Sequence, residues 1–378
     1  MKKIIKTLFF CPACLKMFLL TVLPVLRGII RTALPARTTA PCLMLVQAVL
    51  VLSLSMPASD AAGNDEPGNQ PGIISGHTMG TVYRVVLSDT GEERIARIEG
   101  KVHDLLKDIN RELSVFDPES QVSLFNEMPS RQSLCVSAGF QKVMGIARKV
   151  HRLSHGAFDP TAGPLIDVWG FGEQGVPRQK PGRGEIEAAL ELVGLDQVHM
   201  DEYGCLSKTK DGVRLNLSAV AKGFAVDELA GLLEDMGQES FLVSIGGDMR
   251  ARGPKPDGSK WSIGVNRPHP AADLKDMVKK IEITSGSVAT SGNYRNFFRS
   301  EDKVFSHIID PSTGYPANNG TVSATVMADS CALADALATA LTVMDNSRGM
   351  EMIRSLKDIE ALIIQMTPED EYIMHHER

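Results

Sequence analysis

An α+β fold is the class the sequence predicts, and two observations predict it. Short β-prone runs come in clusters separated by helical stretches of unequal length, without the regular strand–helix alternation of a doubly wound sheet. The phosphate loop GxxxxGK followed by Ser or Thr is absent, and the one GxGxxG match, at residues 170–175, does not follow a β-prone run, so a nucleotide would have to be held in some other way.

The elements follow in order. Thr81 to Ser88 reads as a strand, and Ile95, Ile98, Val102, Leu105, Leu106, Ile109 and Leu113 recur at helical spacing behind it. A second helix is predicted from Ala138 to Leu153, a third from Glu185 to Val193, and a fourth from Ser218 to Met236, with Ser218 as N-cap and Gly237 as the stop. Strands are expected at Phe241 to Ile245, Trp261 to Val265, Lys280 to Thr284, Phe305 to Ile309 and Thr321 to Met327. Asp329 or Ser330 then caps an apolar helix that runs through Met344.

Composition bounds the function. Of 378 residues, 43% are hydrophobic and 23% charged, which suits one large folded domain or two lobes. Residues 1–59 carry seven basic side chains and no acid, so the rest of the chain is distinctly acidic and a poor match for nucleic-acid phosphates. Leu43 to Met56 is an apolar run after Arg37, and Ser59-Asp60-Ala61 follows as a small-residue cleavage site. Residues 1–61 therefore read as an export leader, either a signal peptide or an N-terminal anchor in the inner membrane, with a periplasmic body. Residues 62–72 read as a flexible linker and 73–378 as the functional domain. Cys135, Cys205 and Cys331 form no CxxC pair and are expected to be isolated buried thiols. His375 and His376 are expected in a frayed tail.

Several segments carry chemistry. Asp335 is the only charged side chain between Asp329 and Asp345, and a helix places Thr339 on the same face, which makes half of an oxygen-ligand site suited to magnesium. Taken alone, the pair also reads as structural, with the carboxylate bonded to a backbone amide. Lys222 falls in the first turn of a helix, where a cation is electrostatically misplaced unless an anion is close; a solvated surface lysine is an equal reading. Gly246-Gly247-Asp248 follows an apolar strand and allows either a tight turn or close approach of a flat ligand. His307 ends a strand, and Asp310 follows in the next turn. HExxH and GxSxG are absent, which leaves zinc and serine hydrolase chemistry unsupported.

Seven motifs occur in one order: Met79-Gly80-Thr81, GAFDPTAGPLIDVWGFG from Gly156, LNLSAVAKGFAVD from Leu215, SIGGD from Ser244, TSGNYRNFF from Thr290, SHIIDPSTGYP from Ser306 and ADALATAL from Ala334. Together they make the chain resemble the ApbE family of FAD:protein FMN transferases. The resemblance implies a two-lobed α+β domain with mixed β-sheets flanked by helices. It also implies an exported enzyme that splits FAD, transfers FMN to a Thr or Ser hydroxyl of an acceptor protein and releases AMP, the acceptor being a subunit of a membrane redox complex. It implies Mg2+ held by the Ala219 carbonyl, Asp335 and Thr339. FAD, the substrate, would meet Met79, Phe116, Ala157, Phe158, Asp159, Asn216, Lys222 and Ile309, and His307 or Asp310 would orient or accept the proton. The chain departs from the pattern at Asn216, where relatives often carry Asp, at Lys222, where some carry Glu, and at Phe116, where Tyr is frequent. An FAD pyrophosphatase and a non-catalytic flavin-binding protein are the competing readings.

Overall fold

The computed structural model describes residues 71–377 except 89–90, 173–177, 274, 302 and 368–370, so the leader lies outside the described residues. Strands β1 (Gly72–Thr78) and β2 (Thr81–Leu87) form a hairpin whose turn residues Met79 and Gly80 both have positive φ, at 49° and 70°. Helix α1 (Glu92–Leu113) buries Ile98, Val102, Leu106, Ile109 and Leu113 in the spacing read from the sequence. Helix α2 (Gln121–Glu127) and strand β3 (Ser133–Cys135) follow, then helix α3 (Ala138–Leu153), which has the bounds expected of it.

Helices α4 (Gly163–Val168) and α5 (Arg183–Leu190) precede strands β4 (Val198–Met200) and β5 (Cys205–Lys208). Helix α6 (Ser218–Asp235) is next, ended as expected before Gly237, whose φ is 71°. Its N-cap is Leu217 rather than Ser218. Asn216 Oδ1 accepts from the Ser218 amide at 3.0 Å, so the side chain one residue further upstream does the capping work.

Strands β6 (Phe241–Ile245), β7 (Asp248–Arg252), β8 (Trp261–Asn266), β9 (Met277–Ile283), β10 (Gly286–Gly292), β11 (Phe297–Ser300), β12 (Lys303–Ser306) and β13 (Thr321–Ala328) come next. Helix α7 (Cys331–Val343), capped by Ser330, helix α8 (Asn346–Arg354) and strands β14 (Glu360–Met366) and β15 (Tyr372–Glu377) complete the chain. The principal sheet has eight strands in the order β1-β2-β6-β7-β10-β13-β14-β15, and every pairing in it is antiparallel.

Period-two alternation sorts the sheet's side chains between two cores. Ala289, Ala361 and Ile363 face the large core with α1, α3, α6 and α7, while Val288, Leu362 and Ile364 face a smaller one under the β8–β9 hairpin. A third core gathers Leu165, Trp169, Ile186 and Ile309, with Phe298 and Phe305 stacked beside Trp169 at ring distances of 6.3 and 5.1 Å. Its Nε1–H donates to the Gly314 carbonyl at 2.8 Å.

Two expectations are corrected. Cys135 and Cys205 form a disulfide, because they are cross-strand partners where β3 pairs with β5; only Cys331 is the buried thiol expected of all three. Local spacing could not reveal a pairing made by strand register. His375 and His376 lie in β15, where His375 Nε2 is 3.0 Å from Gln365 Oε1, so the tail is sheet edge.

Candidate active site

One cavity of about 810 Å³ opens where the three cores meet, a volume in the usual range for cofactor-sized ligands. The large core contributes Phe158 and Ala219, the hairpin core Val265 and Met249, and the aromatic core Phe171 and Ile309.

The polar end is assembled by two helices that nearly touch. At Gly223 of α6, an added Cβ would sit 2.3 Å from the Cys331 carbonyl oxygen and 2.7 Å from Ala332 Cα, so only glycine lets α6 and α7 meet this closely. The approach places Lys222 Nζ 3.2 and 3.1 Å from the two carboxylate oxygens of Asp335. The Gly223 amide, one turn after Ala219, reaches Asp335 Oδ2 at 3.1 Å and so lessens the helix's own demand on the Ala219 carbonyl. The misplaced cation of the sequence thus has its anion, and Asp335 has its partner.

A second carboxylate lies beside the first. Asp248 follows the Gly246-Gly247 turn, whose φ values of 60° and 104° suit glycine, and its Oδ2 lies 3.2 Å from Lys222 Nζ. That oxygen is buried without an aligned hydrogen-bond donor, while Oδ1 accepts only a long bond of 3.3 Å from the Thr290 amide. Burial, then the neighbouring Asp335, pushes the Asp248 carboxyl up to about 7, partly offset by Lys222. Burial works against the Lys222 charge, but Asp248 and Asp335 overcome it and hold the ammonium above the usual lysine range. Asp248 was visible in the sequence only as part of a turn motif; its inward position at the head of a buried strand is the signal that marks it.

Thr339 lines the same end, and its hydroxyl pairs with Ser291 Oγ at 2.9 Å, a second partner that the motif reading did not single out. Two hydroxyls sharing one hydrogen leave lone pairs for a cation. Two carboxylates share one ammonium, and the buried Asp248 Oδ2 lacks an aligned donor. The hard-oxygen set therefore fits a divalent ion such as Mg2+. Among the described residues, no cluster of three or more His, Cys, Asp or Glu side chains is arranged to hold a metal, so Thr339 and the main chain would have to complete this set.

The remaining sequence-derived residues separate into two groups. Phe116, Ala157, Phe158, Asp159, Asn216 and Ile309 line the cavity, with Phe116 73% exposed at its mouth. Asp159 accepts from the Thr161 amide and hydroxyl at 2.8 and 2.5 Å, and burial raises its carboxyl despite these bonds. Met79 lies in the β1–β2 turn and packs on the large core; the cavity's lining on that hairpin comes from Thr81, Val82 and Arg84.

His307 lines the cavity and holds Nδ1 3.1 Å from the Asn296 carbonyl. A carbonyl only accepts, so this contact places the proton on Nδ1 and the lone pair on Nε2. Burial, together with the positive charges of Lys222 and Arg178, lowers the His307 pKa below the ordinary histidine value, and the Asn296 bond only partly offsets this. Asp310 is not brought to the cavity. Its carboxylate accepts from the Ser312 amide at 2.9 Å and the Ser312 hydroxyl at 2.7 Å, which closes the turn before Tyr315.

With this geometry in view, comparison with known proteins is specific. The family model described as the ApbE family matches residues 79–363. A protein of Vibrio cholerae serotype O1 named FAD:protein FMN transferase is 36% identical over 307 residues, covering 81% of this chain and 90% of that one. The solved flavin transferase ApbE from Vibrio cholerae superposes with a TM-score of 0.74 at 34% identity, over 82% of this chain and 98% of that one. The apo flavinyl transferase ApbE of Pseudomonas stutzeri gives a TM-score of 0.74 at 30% identity, over 83% and 96%.

Proposed function

Because the chain belongs to the ApbE family, we propose that it is an FAD:protein FMN transferase that moves FMN from FAD to a Thr or Ser hydroxyl of an acceptor protein and releases AMP. The observation that carries this reading is the polar end of the cavity. The Lys222 ammonium, the buried Asp335 carboxylate and the His307 imidazole line one cavity large enough for a dinucleotide, and a second buried carboxylate, Asp248, lies against the same ammonium.

The chain's residues have distinct tasks in the transfer. Apolar walls from Phe158, Phe171 and Ile309 exclude water around the ring systems, and exposed Phe116 offers a stacking face at the mouth. The acceptor oxygen bonds to the flavin-side phosphorus as the bond to the AMP phosphate breaks and its electron pair leaves on that phosphate. His307 Nε2 takes the acceptor's hydroxyl proton, held in orientation by Nδ1 on Asn296. Lys222 and the amides that open α6 answer the charge growing on the departing phosphate. Asp310 keeps the loop's shape rather than touching substrate.

Mg2+ would be held by Asp335, Thr339 and the Ala219 carbonyl, and when bound it supplies Lewis-acid neutralisation of the diphosphate oxygens. Asp248 is an additional carboxylate for the same charge.

Export of residues 62–378 behind the leader is part of the proposal, with residues 1–61 as signal peptide or inner-membrane anchor and a periplasmic body that acts on a subunit of a membrane redox complex. The Cys135–Cys205 disulfide supports it, since such bonds persist in oxidising compartments. No helix among the described residues is long and apolar enough to cross a membrane, which leaves any anchor to the leader.

The deciding experiment incubates the protein with FAD, Mg2+ and an acceptor domain and weighs the acceptor by mass spectrometry. An acceptor heavier by one FMN phosphoryl group supports transfer. Free FMN with an unmodified acceptor would assign a pyrophosphatase instead, and unconsumed FAD would assign a binding protein.

A further inference from the structure

We propose that the Lys222 ammonium is the resident counter-cation of the Asp335–Asp248 pair and gives up that place to the incoming divalent ion, so that metal binding and delivery of Lys222 to the substrate's phosphates are one coupled event. The inference rests on the metal assignment made above and goes beyond it by making the lysine a competitor of the metal.

Three observations carry it. Lys222 Nζ lies 3.1 and 3.2 Å from the oxygens of Asp335 and 3.2 Å from Asp248 Oδ2, which is where a metal shared by these carboxylates would draw its charge. The two carboxylates are each 2% exposed, so neither can turn to water when its cation leaves. Asp248 Oδ2 lacks an aligned donor even with the ammonium present, so the lysine satisfies the pair incompletely and a better ligand can replace it.

A divalent ion and an ammonium cannot both sit against Asp335 without strong repulsion in so dry a place. The lysine is the mobile partner, since its stem has four methylenes and is partly exposed towards the cavity it lines. Once off Asp335, the ammonium needs another anion, and the diphosphate of FAD is one. FAD therefore tightens metal binding beyond its own ligand oxygens, and the metal tightens FAD by the same factor. Without substrate the lysine holds metal affinity down, which guards the empty site against filling by stray divalent ions.

The test measures Mn2+ binding by the intact protein, from the EPR signal of free ion, with and without ADP as a diphosphate that cannot be transferred. In Lys222→Met, Mn2+ without ADP should bind about tenfold tighter than in the wild type, and ADP should improve it by a correspondingly smaller factor. Lys222→Arg, which keeps the charge, should stay near the wild type. Equal or weaker Mn2+ binding in Lys222→Met overturns the competition. If wild type and Asp335→Ala bind Mn2+ alike, with ADP present, the metal assignment itself fails, and this outcome is separate from the first. Should Lys222→Met fail to fold, the native lysine answers instead: the 15N resonance of the Lys222 ammonium, identified by its absence in Lys222→Arg, should move when Mg2+ and ADP are added, and an unmoved resonance refutes the proposal.

Discussion

Two aspartates face each other across α6 and α7, and they differ in how completely they are answered. Asp227 on α6 reaches the start of α7 and accepts from Ser330 Oγ at 2.8 Å, from the Cys331 and Ala332 amides at 3.0 Å each, and from Arg250 at 2.7 Å. Both its oxygens are saturated, and it works as a second cap that pins one helix to the other. Asp335 on α7 reaches back to α6 but receives one amide and an ammonium it must share with Asp248. The same side chain on the same pair of helices is therefore a fastener at one level and a ligand site one turn along, and the difference is unmet hydrogen-bond and charge demand.

The contrast can be broken most sharply at Asp335. Asp335→Ala should reduce metal-dependent FMN transfer by about three orders of magnitude, in line with loss of a metal or oxyanion contact, while the melting temperature changes little. A variant that keeps full transfer would show that the two aspartates do not differ in the way described. His307→Ala sharpens the chemistry at the same end: transfer should slow by about 10²-fold with FAD affinity nearly intact, measured by single-turnover kinetics beside FAD titration.

The pH profile tests the same histidine without mutation. Because its folded value is depressed, the imidazole stays a base below the ordinary histidine range, so the acid limb of transfer should fall below pH 6.5. In stability the sign is the same. The unfolded chain takes up the proton first as pH falls, so this contribution, full above the unfolded value, is lost on descending through the folded one.

Asp227→Ala should show the opposite pattern to Asp335→Ala, lowering stability by about 2–3 kcal/mol in urea unfolding through its orphaned amides while transfer per folded molecule stays within about threefold. The smallest effect belongs to Phe116→Ala. Removing an exposed stacking face is worth roughly 1 kcal/mol, so KM for FAD should rise about fivefold with kcat unchanged.

What could be read from the sequence was local. Helices α3 and α7 were legible because their apolar spacing and caps are written into consecutive residues, and Asp335 stood out as the lone charge in an apolar run. Strands β1, β10, β14 and β15 were not read, since pairing partners, not their own composition, make them strands. Asp248 was missed for a similar reason. Its significance lies in sharing Lys222 with a residue far along the chain, and sequence spacing carries no such information. The Cys135–Cys205 bond belongs with these, as a product of register.

That bond has a consequence for anyone preparing the protein. It closes a ring across 70 positions, and Ala157, Phe158, Ile166 and Phe171, which wall the cavity, all lie inside the ring. Even in strong denaturant this stretch stays a tethered lasso, a restriction worth about 4 kcal/mol in chain entropy. Batches purified with and without reductant are thus different materials, and only the oxidised one begins refolding with that part of its pocket already looped.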